Sequence, residues 1–193
     1  MNDTSTYWEN RYQNEDTGWD MKTVSPPLQS YIDQLKNKDQ KILIPGAGNA
    51  YEAEYLFNNG FKNVYVADIA KTPLRNLKSR IPDFPDNQLL NINFFDIDDS
   101  FDLIIEQTFF CALPPKLRPE YAEKMHQLLK PKAKLAGLFF DFPLTDDGPP
   151  FGGNIEEYKT YFEDLFKFEI LERCYNSYPK RQSKELFFEF LKK

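Results

Sequence analysis

The sequence predicts an α/β protein with a mainly parallel sheet. Short apolar segments of strand type alternate with segments whose apolar residues recur at helical spacing, which is the pattern of a parallel sheet covered by helices. The last two strand-like segments are joined by a short turn-rich stretch, so we expect them to pair as an antiparallel hairpin. No internal repeat, low-complexity tract or linker interrupts residues 1–193, and we therefore expect one domain.

The elements of the first half follow from apolar periodicity and from the positions of proline and glycine. Leu28, Ile32 and Leu35 form one stripe behind a proline start, which predicts a helix. A glycine ends the next helical stripe, as glycine commonly does. In order, we predict a helix over residues 26–38, a strand over 41–44, a helix that has Glu52 in its first turn and stops at residues 58–60, a strand over 63–68, a helix over 72–80 and a strand over 89–95.

The second half continues the alternation. Leu103 to Ile105 is continuously apolar, as in a strand buried on both faces. Asn154 followed by Glu157 has the spacing of a helix capping box. In order, we predict a strand over residues 100–107, a helix over 115–131, a strand over 134–142, a helix over 154–166 and the two hairpin strands over 166–176 and 184–193.

Composition restricts the class of partner. The formal net charge is -6 and the pI is about 5.0, which argues against binding to nucleic acid or to an anionic membrane surface, although a local basic patch can exist within an acidic total. We expect a small-molecule partner, no nucleic acid, no membrane, and a monomer.

The cysteine and histidine content is low. Cys111 and Cys174 lie far apart, no signal peptide is visible, and the apolar runs are too short to span a bilayer, so we expect a cytoplasmic protein. With His126 as the one histidine and no metal-binding motif, we expect no transition-metal site.

The stretch KILIPGAGNAYEAEYL, residues 41–56, indicates a strand, a tight glycine turn and a helix. Because Gly46 and Gly48 carry no side chain, the backbone of such a turn can approach a polar ligand closely. The glycines alone leave two interpretations open, which are a cofactor site and an ordinary turn.

Acidic residues follow several of the predicted strands. In an open parallel sheet, ligands bind beyond the carboxyl ends of the strands. Each acid alone is typical of a solvated turn, but together they favour a ligand site behind the glycine turn. The strand-end residues are Gly46, Ala47, Gly48, Asp68, Ile69, Asp96, Ile97, Glu106, Gln107, Asp141 and Phe142.

The acids favour one cofactor class over another. Asp68 stands about twenty residues after the glycine turn, where a carboxylate can bind a ribose hydroxyl pair, and Asp96 with the backbone N–H of Ile97 can read an adenine edge. The dinucleotide motif GxGxxG is incomplete, because Tyr51 occupies its third glycine position. Acids would also oppose a pyrophosphate, whereas a cationic sulfonium suits acidic and aromatic surroundings. We therefore predict S-adenosyl-L-methionine, with S-adenosyl-L-homocysteine as its product.

Residues 1–24 form an N-terminal arm that holds both tryptophans of the chain. Trp8 and Tyr12 are four residues apart and would share a helix face, and Trp19 follows. Two interpretations are open: the aromatic residues attach the arm to the domain, or the arm is a lid that closes over a ligand.

The sequence resembles those of the thiopurine S-methyltransferase family. Within that family it most resembles the plant-type thiol and halide methyltransferases. The resemblance covers nearly the whole chain, and its strongest stretches are WENRY and GWD in the arm, IPGAGNAYE, FFCALPPKLRPEYAEKMHQLLKP and DGPPF. It implies a Rossmann-like class I methyltransferase sandwich with a seven-stranded sheet. It also implies cofactor contacts from Trp8, Tyr12, Trp19, Gly46, Asp68, Asp96, Ile97 and Glu106, the last near the methionine end.

The resemblance also implies residues on the acceptor side. Arg118 matches an arginine that the thiopurine enzymes have near the acceptor, and Arg181 lies in a C-terminal loop where the family also places an arginine. Both would hold or steer an anionic acceptor, and the alternative for both is a surface ion pair. Phe142 stands where the halide enzymes carry a tyrosine, which disfavours halide as the main substrate. We expect Cys111 to be a buried thiol rather than a nucleophile and His126 to be a surface helix residue.

The resulting hypothesis is a methyltransferase that acts on a small thiol or another soft nucleophile, with thiopurine, halide and thiocyanate included. Such a transfer needs alignment and desolvation rather than a protein base. The alternatives are a non-catalytic module that binds S-adenosylmethionine beside a degenerate acceptor pocket and, third, a nicotinamide oxidoreductase.

Overall fold

The structure, a computed structural model, describes residues 4–193 and contains two compact units. The first unit ends at Ile97, and the second spans Asp98–Lys193. The first three residues of the predicted arm lie outside the described residues. The expectation of one domain over the whole chain stays a prediction.

The first unit has three parallel strands in the order β3-β2-β1. Strand β2 pairs in parallel with both of its neighbours. The elements in chain order are α1 (Thr4–Gln13), α2 (Pro26–Ile32), β1 (Ile42–Pro45), α3 (Tyr51–Asn58), β2 (Val64–Asp68), α4 (Lys71–Arg80) and β3 (Leu89–Asn91).

The second unit has four strands in the order β4-β5-β7-β6. Strands β4 and β5 are parallel, and β7 is antiparallel to both β5 and β6. The α/β class, the mainly parallel strand pairing and the C-terminal antiparallel hairpin are therefore confirmed. The elements are β4 (Phe101–Gln107), α5 (Arg118–Leu128), β5 (Leu129–Phe140), α6 (Ile155–Phe162), β6 (Phe166–Arg173) and β7 (Glu185–Lys192).

The strand predicted over residues 89–95 is too long. Strand β3 ends at Asn91, and the chain turns into a 3-10 turn over Phe94–Asp96. The side chain of Asn93 accepts a hydrogen bond from the N–H of Phe95 at 3.2 Å. This local bond competes with strand pairing and ends the extended segment.

Three predicted helices are also too long. The one predicted over residues 26–38 ends at Ile32, because the N–H groups of Gln34 and Leu35 bond to carbonyls only three residues back and tighten the chain. The one predicted over 115–131 begins at Arg118 after a 3-10 turn and ends at Leu128, where β5 starts five residues earlier than expected. The third, predicted over 154–166, spans Ile155–Phe162.

The core of the second unit is rich in phenylalanine. Phe139 on β5 stacks on Phe188 of β7 with ring centroids 4.0 Å apart, and Phe190 stacks on Phe168 of β6 at 4.3 Å. Strand β7 thus supplies rings to both of its neighbours. Among residues 4–193, no helix has the length and apolar character needed to cross a bilayer.

Candidate functional site

The glycine turn after β1 has the left-handed backbone that glycine permits. Gly46 and Gly48 have φ angles of 55° and 53°, and Ala50, just before α3, has φ 55°. A Cβ atom added to Gly48 would lie 2.7 Å from the hydroxyl of Tyr12. The turn therefore brings bare backbone close to the arm, which a side chain would prevent.

Asp68, at the end of β2, is joined to this turn. Its Oδ2 accepts a hydrogen bond from the N–H of Gly48 at 2.9 Å, and its Oδ1 accepts one from the N–H of Ala70 at 2.8 Å. Burial raises the pKa of Asp68 to about 6, although these two bonds lower it. An ionised carboxylate offers about four acceptor positions, so about two remain for a ribose hydroxyl pair.

The arm is anchored by a contact that sequence reasoning missed. The carboxylate of Glu9 on α1 accepts hydrogen bonds from the backbone N–H groups of Lys71 and Thr72 at 2.7 and 3.0 Å, and from the Thr72 hydroxyl at 2.6 Å. Burial acts to raise the pKa of Glu9, but the bonds from Thr72 and Lys71 outweigh it and hold the pKa at about 2. Glu9 therefore caps α4 from the arm.

The three aromatic residues predicted to bind the cofactor lie together in the arm. The ring of Trp19 contacts Trp8 edge to face at 5.4 Å and Tyr12 at 5.7 Å. The guanidinium of Arg11 lies 4.9 Å from the centre of the Trp19 ring. Burial and the nearby charge of Asp68 raise the pKa of Tyr12, so its hydroxyl stays protonated beside the turn.

The residues predicted to contact adenine lie at the end of the first unit. The carboxylate of Asp96 is exposed, and Ile97 is buried with its N–H donating to the carbonyl of Phe94 at 3.2 Å. The carbonyl of Ile69 accepts a hydrogen bond from the Ser5 hydroxyl of the arm at 3.1 Å. Adenine contacts by Asp96 and Ile97 stay predictions.

Glu106, at the end of β4, is fully buried. Its Oε1 accepts hydrogen bonds from the N–H groups of Phe109 and Phe110 at 2.7 and 3.0 Å, and its Oε2 accepts one from the Tyr121 hydroxyl. Burial raises the pKa of Glu106 to about 7, against the lowering effect of these bonds. The carboxylate therefore holds the turn after β4, and its contact with the methionine end of the cofactor stays a prediction.

Gln107 follows Glu106 as the last residue of β4. Its amide oxygen and nitrogen are both buried, and neither forms a hydrogen bond within the described part of the chain. Burying an amide without partners costs about 1–3 kcal/mol on the scale of protein mutations. This residue is therefore a candidate contact for a polar group of a ligand.

Arg118, at the start of α5, is fully buried, so the surface alternative is wrong for it. Its guanidinium donates to the Glu157 carboxylate at 2.7 Å and to the carbonyl of Gly152 at 2.8 Å, and it lies 4.6 Å from the centre of the Phe110 ring. It therefore connects the turn after β4 to the loop that follows β5.

Arg181, in the loop between β6 and β7, is also buried, with 8% of its surface exposed, so it is not a surface ion pair either. Its guanidinium lies 3.4 Å from the carboxylate of Glu185 on β7, which is 2% exposed. It also lies 5.6 Å from the centre of the Phe140 ring. Sequence reasoning missed Glu185, because a spacing of four residues indicates pairing only within a helix, and these two residues lie in a loop and at the start of a strand.

Phe142 and Cys111 belong to the same part of the second unit. The ring of Phe142 packs 5.0 Å from Phe140, and its carbonyl accepts the N–H of Gly153 at 2.8 Å. The carbonyl of Cys111 accepts the N–H of Phe151 at 2.7 Å. Burial and then Glu106 raise the pKa of the Cys111 thiol, although Arg181 and Arg118 oppose this, so it is a neutral thiol rather than a nucleophile.

The chain matches known proteins over almost its whole length. The family model described as thiopurine S-methyltransferase matches residues 3–191. Thiocyanate methyltransferase 1 of Arabidopsis thaliana is 27% identical over 186 residues, which are 92% of this chain and 81% of the relative. Thiopurine S-methyltransferase of Vibrio cholerae is 27% identical over 173 residues, which are 81% of this chain and 79% of the relative.

Solved structures share the fold. The 1,6-didemethyltoxoflavin-N1-methyltransferase of Burkholderia thailandensis, crystallised with 1,6-didemethyltoxoflavin and S-adenosylhomocysteine, has a TM-score of 0.77 at 17% identity, over 97% of this chain and 86% of that one. A TehB-like methyltransferase of Corynebacterium glutamicum has a TM-score of 0.67 at 19% identity, over 98% of each chain. The predicted Rossmann-like class I methyltransferase fold is confirmed.

Proposed function

The chain belongs to the thiopurine S-methyltransferase family of S-adenosylmethionine-dependent methyltransferases, and we propose that its acceptor is the sulfur of a small thiol. S-adenosylmethionine supplies a methyl group activated on a sulfonium, which a soft nucleophile displaces in line without a protein base. The relatives named for sulfur-containing acceptors, the thiocyanate and thiopurine enzymes, support a sulfur acceptor.

The observation that carries the cofactor assignment is the carboxylate of Asp68. Each oxygen is fixed by one backbone N–H, from Gly48 and from Ala70, at 2.9 and 2.8 Å. The carboxylate is thereby oriented before any ligand arrives, and its remaining lone pairs accept the two ribose hydroxyls. Such preorganisation lowers the entropy cost of binding.

The arm completes the binding of the cofactor in the first unit. Trp8, Tyr12 and Trp19 supply aromatic faces and edges that favour a cation and exclude water. Glu9 holds α1 at the start of α4, directly after Asp68 and Ile69. Of the two interpretations of the arm, we therefore favour the lid.

The second unit supplies the acceptor side. Glu106 holds the turn at Phe109 and Phe110, and Arg118 holds the loop at Gly152. Glu106 accepts three hydrogen bonds from its own unit, and Arg118 donates to Glu157 and Gly152, so both side chains act by positioning these backbone segments rather than by proton transfer. Phe142 supplies apolar surface that desolvates the acceptor sulfur.

Calorimetry with S-adenosylhomocysteine, followed by a radiolabelled methyl-transfer assay, tests this function. We expect micromolar binding and transfer to thiols. The acceptor panel contains an aryl thiol, a thiopurine, iodide and thiocyanate. Failure to bind S-adenosylhomocysteine, or binding of NAD in its place, would contradict the cofactor assignment.

The same assay separates the enzyme from a non-catalytic module. A module with a degenerate pocket would bind S-adenosylhomocysteine and methylate no member of the panel. The cytoplasmic location, the monomeric state and the absence of nucleic-acid partners stay predictions.

A further inference from the structure

Each arginine on the acceptor side of the second unit is paired with a glutamate. Arg118, with a fully buried side chain, lies 2.7 Å from Glu157, whose side chain is 17% exposed. Arg181 and Glu185 are 3.4 Å apart, with side chains 10% and 2% exposed. The positive charges expected to attract an anionic acceptor are therefore offset by negative charges from the same unit.

The two ion pairs lie around one segment. The guanidiniums of both arginines act electrostatically on the Cys111 thiol. Arg118 packs on Phe110, and Arg181 packs on Phe140. Each of the two paired guanidiniums therefore packs against an aromatic ring.

The loop that follows β5 in the chain carries further negative charge. Residues 141–151 contain three aspartates and no lysine or arginine. Asp141 is paired with Arg173 at 2.7 Å, whereas Asp146 and Asp147 are exposed. An anion that approaches this loop meets repulsion rather than attraction.

Charge pairing changes what a buried arginine can bind. A lone guanidinium attracts an anion as a full charge, but a guanidinium already bonded to a carboxylate presents only a dipole, whose field falls more steeply with distance. An anion that enters such surroundings loses its hydration without a compensating charge. An uncharged aryl or alkyl group has no such hydration to lose, and it gains apolar contact with the aromatic rings.

We propose that Glu185 and Glu157 are specificity-determining residues that make the acceptor side neutral, so that the enzyme prefers thiols of otherwise uncharged organic molecules and discriminates against thiols that carry an additional carboxylate. This inference rests on the proposed methyltransferase function and narrows its substrate class.

The wild-type enzyme tests the preference directly. We expect kcat/KM for 4-methylbenzenethiol to exceed that for 4-mercaptobenzoate by about tenfold or more, which corresponds to the loss of one charge-assisted contact. Equal or faster turnover of 4-mercaptobenzoate would overturn the inference and leave the proposed function intact. Turnover of no acceptor, despite binding of S-adenosylhomocysteine, would overturn both.

Variants test the role of Glu185. Glu185→Gln removes the negative charge that offsets Arg181, so the ratio of kcat/KM for 4-mercaptobenzoate to that for 4-methylbenzenethiol should rise by about tenfold. The double variant Glu185→Gln with Arg181→Gln, which is neutral again, should return the ratio to the wild-type value.

The matched control lies on the same strand. Glu189 on β7 is paired with Lys134, whose side chain is 43% exposed, at 2.7 Å. Glu189→Gln removes the same charge and should leave the ratio unchanged. An unchanged ratio in Glu185→Gln, or an equal rise in Glu189→Gln, would overturn the assignment.

Discussion

The hydroxyl of Tyr12 occupies the space that a side chain at Gly48 would need. A Cβ there would lie 2.7 Å from the Tyr12 oxygen, and Gly48 has a φ angle of 53°. We therefore expect Gly48→Ala to cost about 1–2 kcal/mol in backbone strain and also to displace the arm, so that affinity for S-adenosylhomocysteine falls. Calorimetry and thermal unfolding measure the two effects.

Gly60 provides the control for strain alone. Its φ angle is 86°, and no atom lies within 4 Å of an added Cβ. Gly60→Ala should lower thermal stability to a similar extent and leave the affinity for S-adenosylhomocysteine unchanged. If both variants bind equally well, contact between the arm and the turn does not contribute to binding.

Glu9→Gln should release the arm. The pKa of Glu9 is about 2, below its ordinary 4.5, so its stabilising contribution is complete above pH 4.5 and is lost as the pH falls from 4.5 towards 2. The variant should lose this pH dependence, exchange the amide hydrogens of Lys71 and Thr72 faster, and bind S-adenosylhomocysteine more weakly.

Tryptophan fluorescence gives a second measurement, since both tryptophans of the chain lie in the arm. Glu15→Gln removes the same charge from an exposed arm residue and should change neither the fluorescence nor the exchange. A Glu9→Gln variant with wild-type amide exchange would show that Glu9 does not hold the arm.

Asp68 should make cofactor binding depend on pH. Burial raises its pKa from 3.8 to about 6. The protonated carboxyl group therefore stabilises the folded protein, and this stabilisation is lost as the pH rises from about 4 to about 6. Ribose hydroxyls donate to the ionised form, so affinity should fall below pH 6 and binding at pH 6 should release protons. Calorimetry in buffers of different ionisation enthalpy measures that release.

Asp68→Asn should weaken binding by about 10- to 100-fold, the effect of losing a hydrogen bond to a charged group, and should abolish this pH dependence. The exposed Asp83 supplies the control, because Asp83→Asn removes a distant charge. Unaltered affinity in Asp68→Asn would mean that the ribose binds elsewhere.

Arg118→Lys should be strongly destabilising. Lysine keeps the charge but cannot maintain the bonds to both Glu157 and Gly152, and the loss of one hydrogen bond of a charged group costs about 1.5–3 kcal/mol. Arg173, whose side chain is 66% exposed, pairs with Asp141 at 2.7 Å, and Arg173→Lys should cost less than about 1 kcal/mol. Urea unfolding compares the two, and similar losses would show that Arg118 does not hold the loop.

Features that follow a recurring sequence spacing were predictable from the sequence. The path from β1 through the glycine turn to Asp68 follows a recurring spacing, and the Gly48 to Asp68 bond spans 20 residues. The capping role of Asn154 is also confirmed, since its side chain accepts the N–H of Glu157 at 3.0 Å. The carboxylate of Glu157, however, pairs with Arg118 rather than completing the box.

Contacts between distant segments were not predictable. Glu9 and Thr72 are 63 residues apart in the chain, and no local pattern joins them. One signal was present, because α4 begins after Ala70, which has no side-chain acceptor to cap it. The buried pair of Arg181 and Glu185 depends on how their loop packs, which periodicity does not determine.

The position of β7 has a consequence for biosynthesis. This strand emerges last of the seven from the ribosome, yet it lies between β5 and β6 and pairs with both. Until residues 185–192 emerge, β5 and β6 each expose an unpaired edge, Phe139 lacks its contact with Phe188, and Phe168 lacks its contact with Phe190. The nascent second unit should therefore depend on chaperones until late in translation, and truncation before β7 should produce aggregation rather than a smaller folded protein.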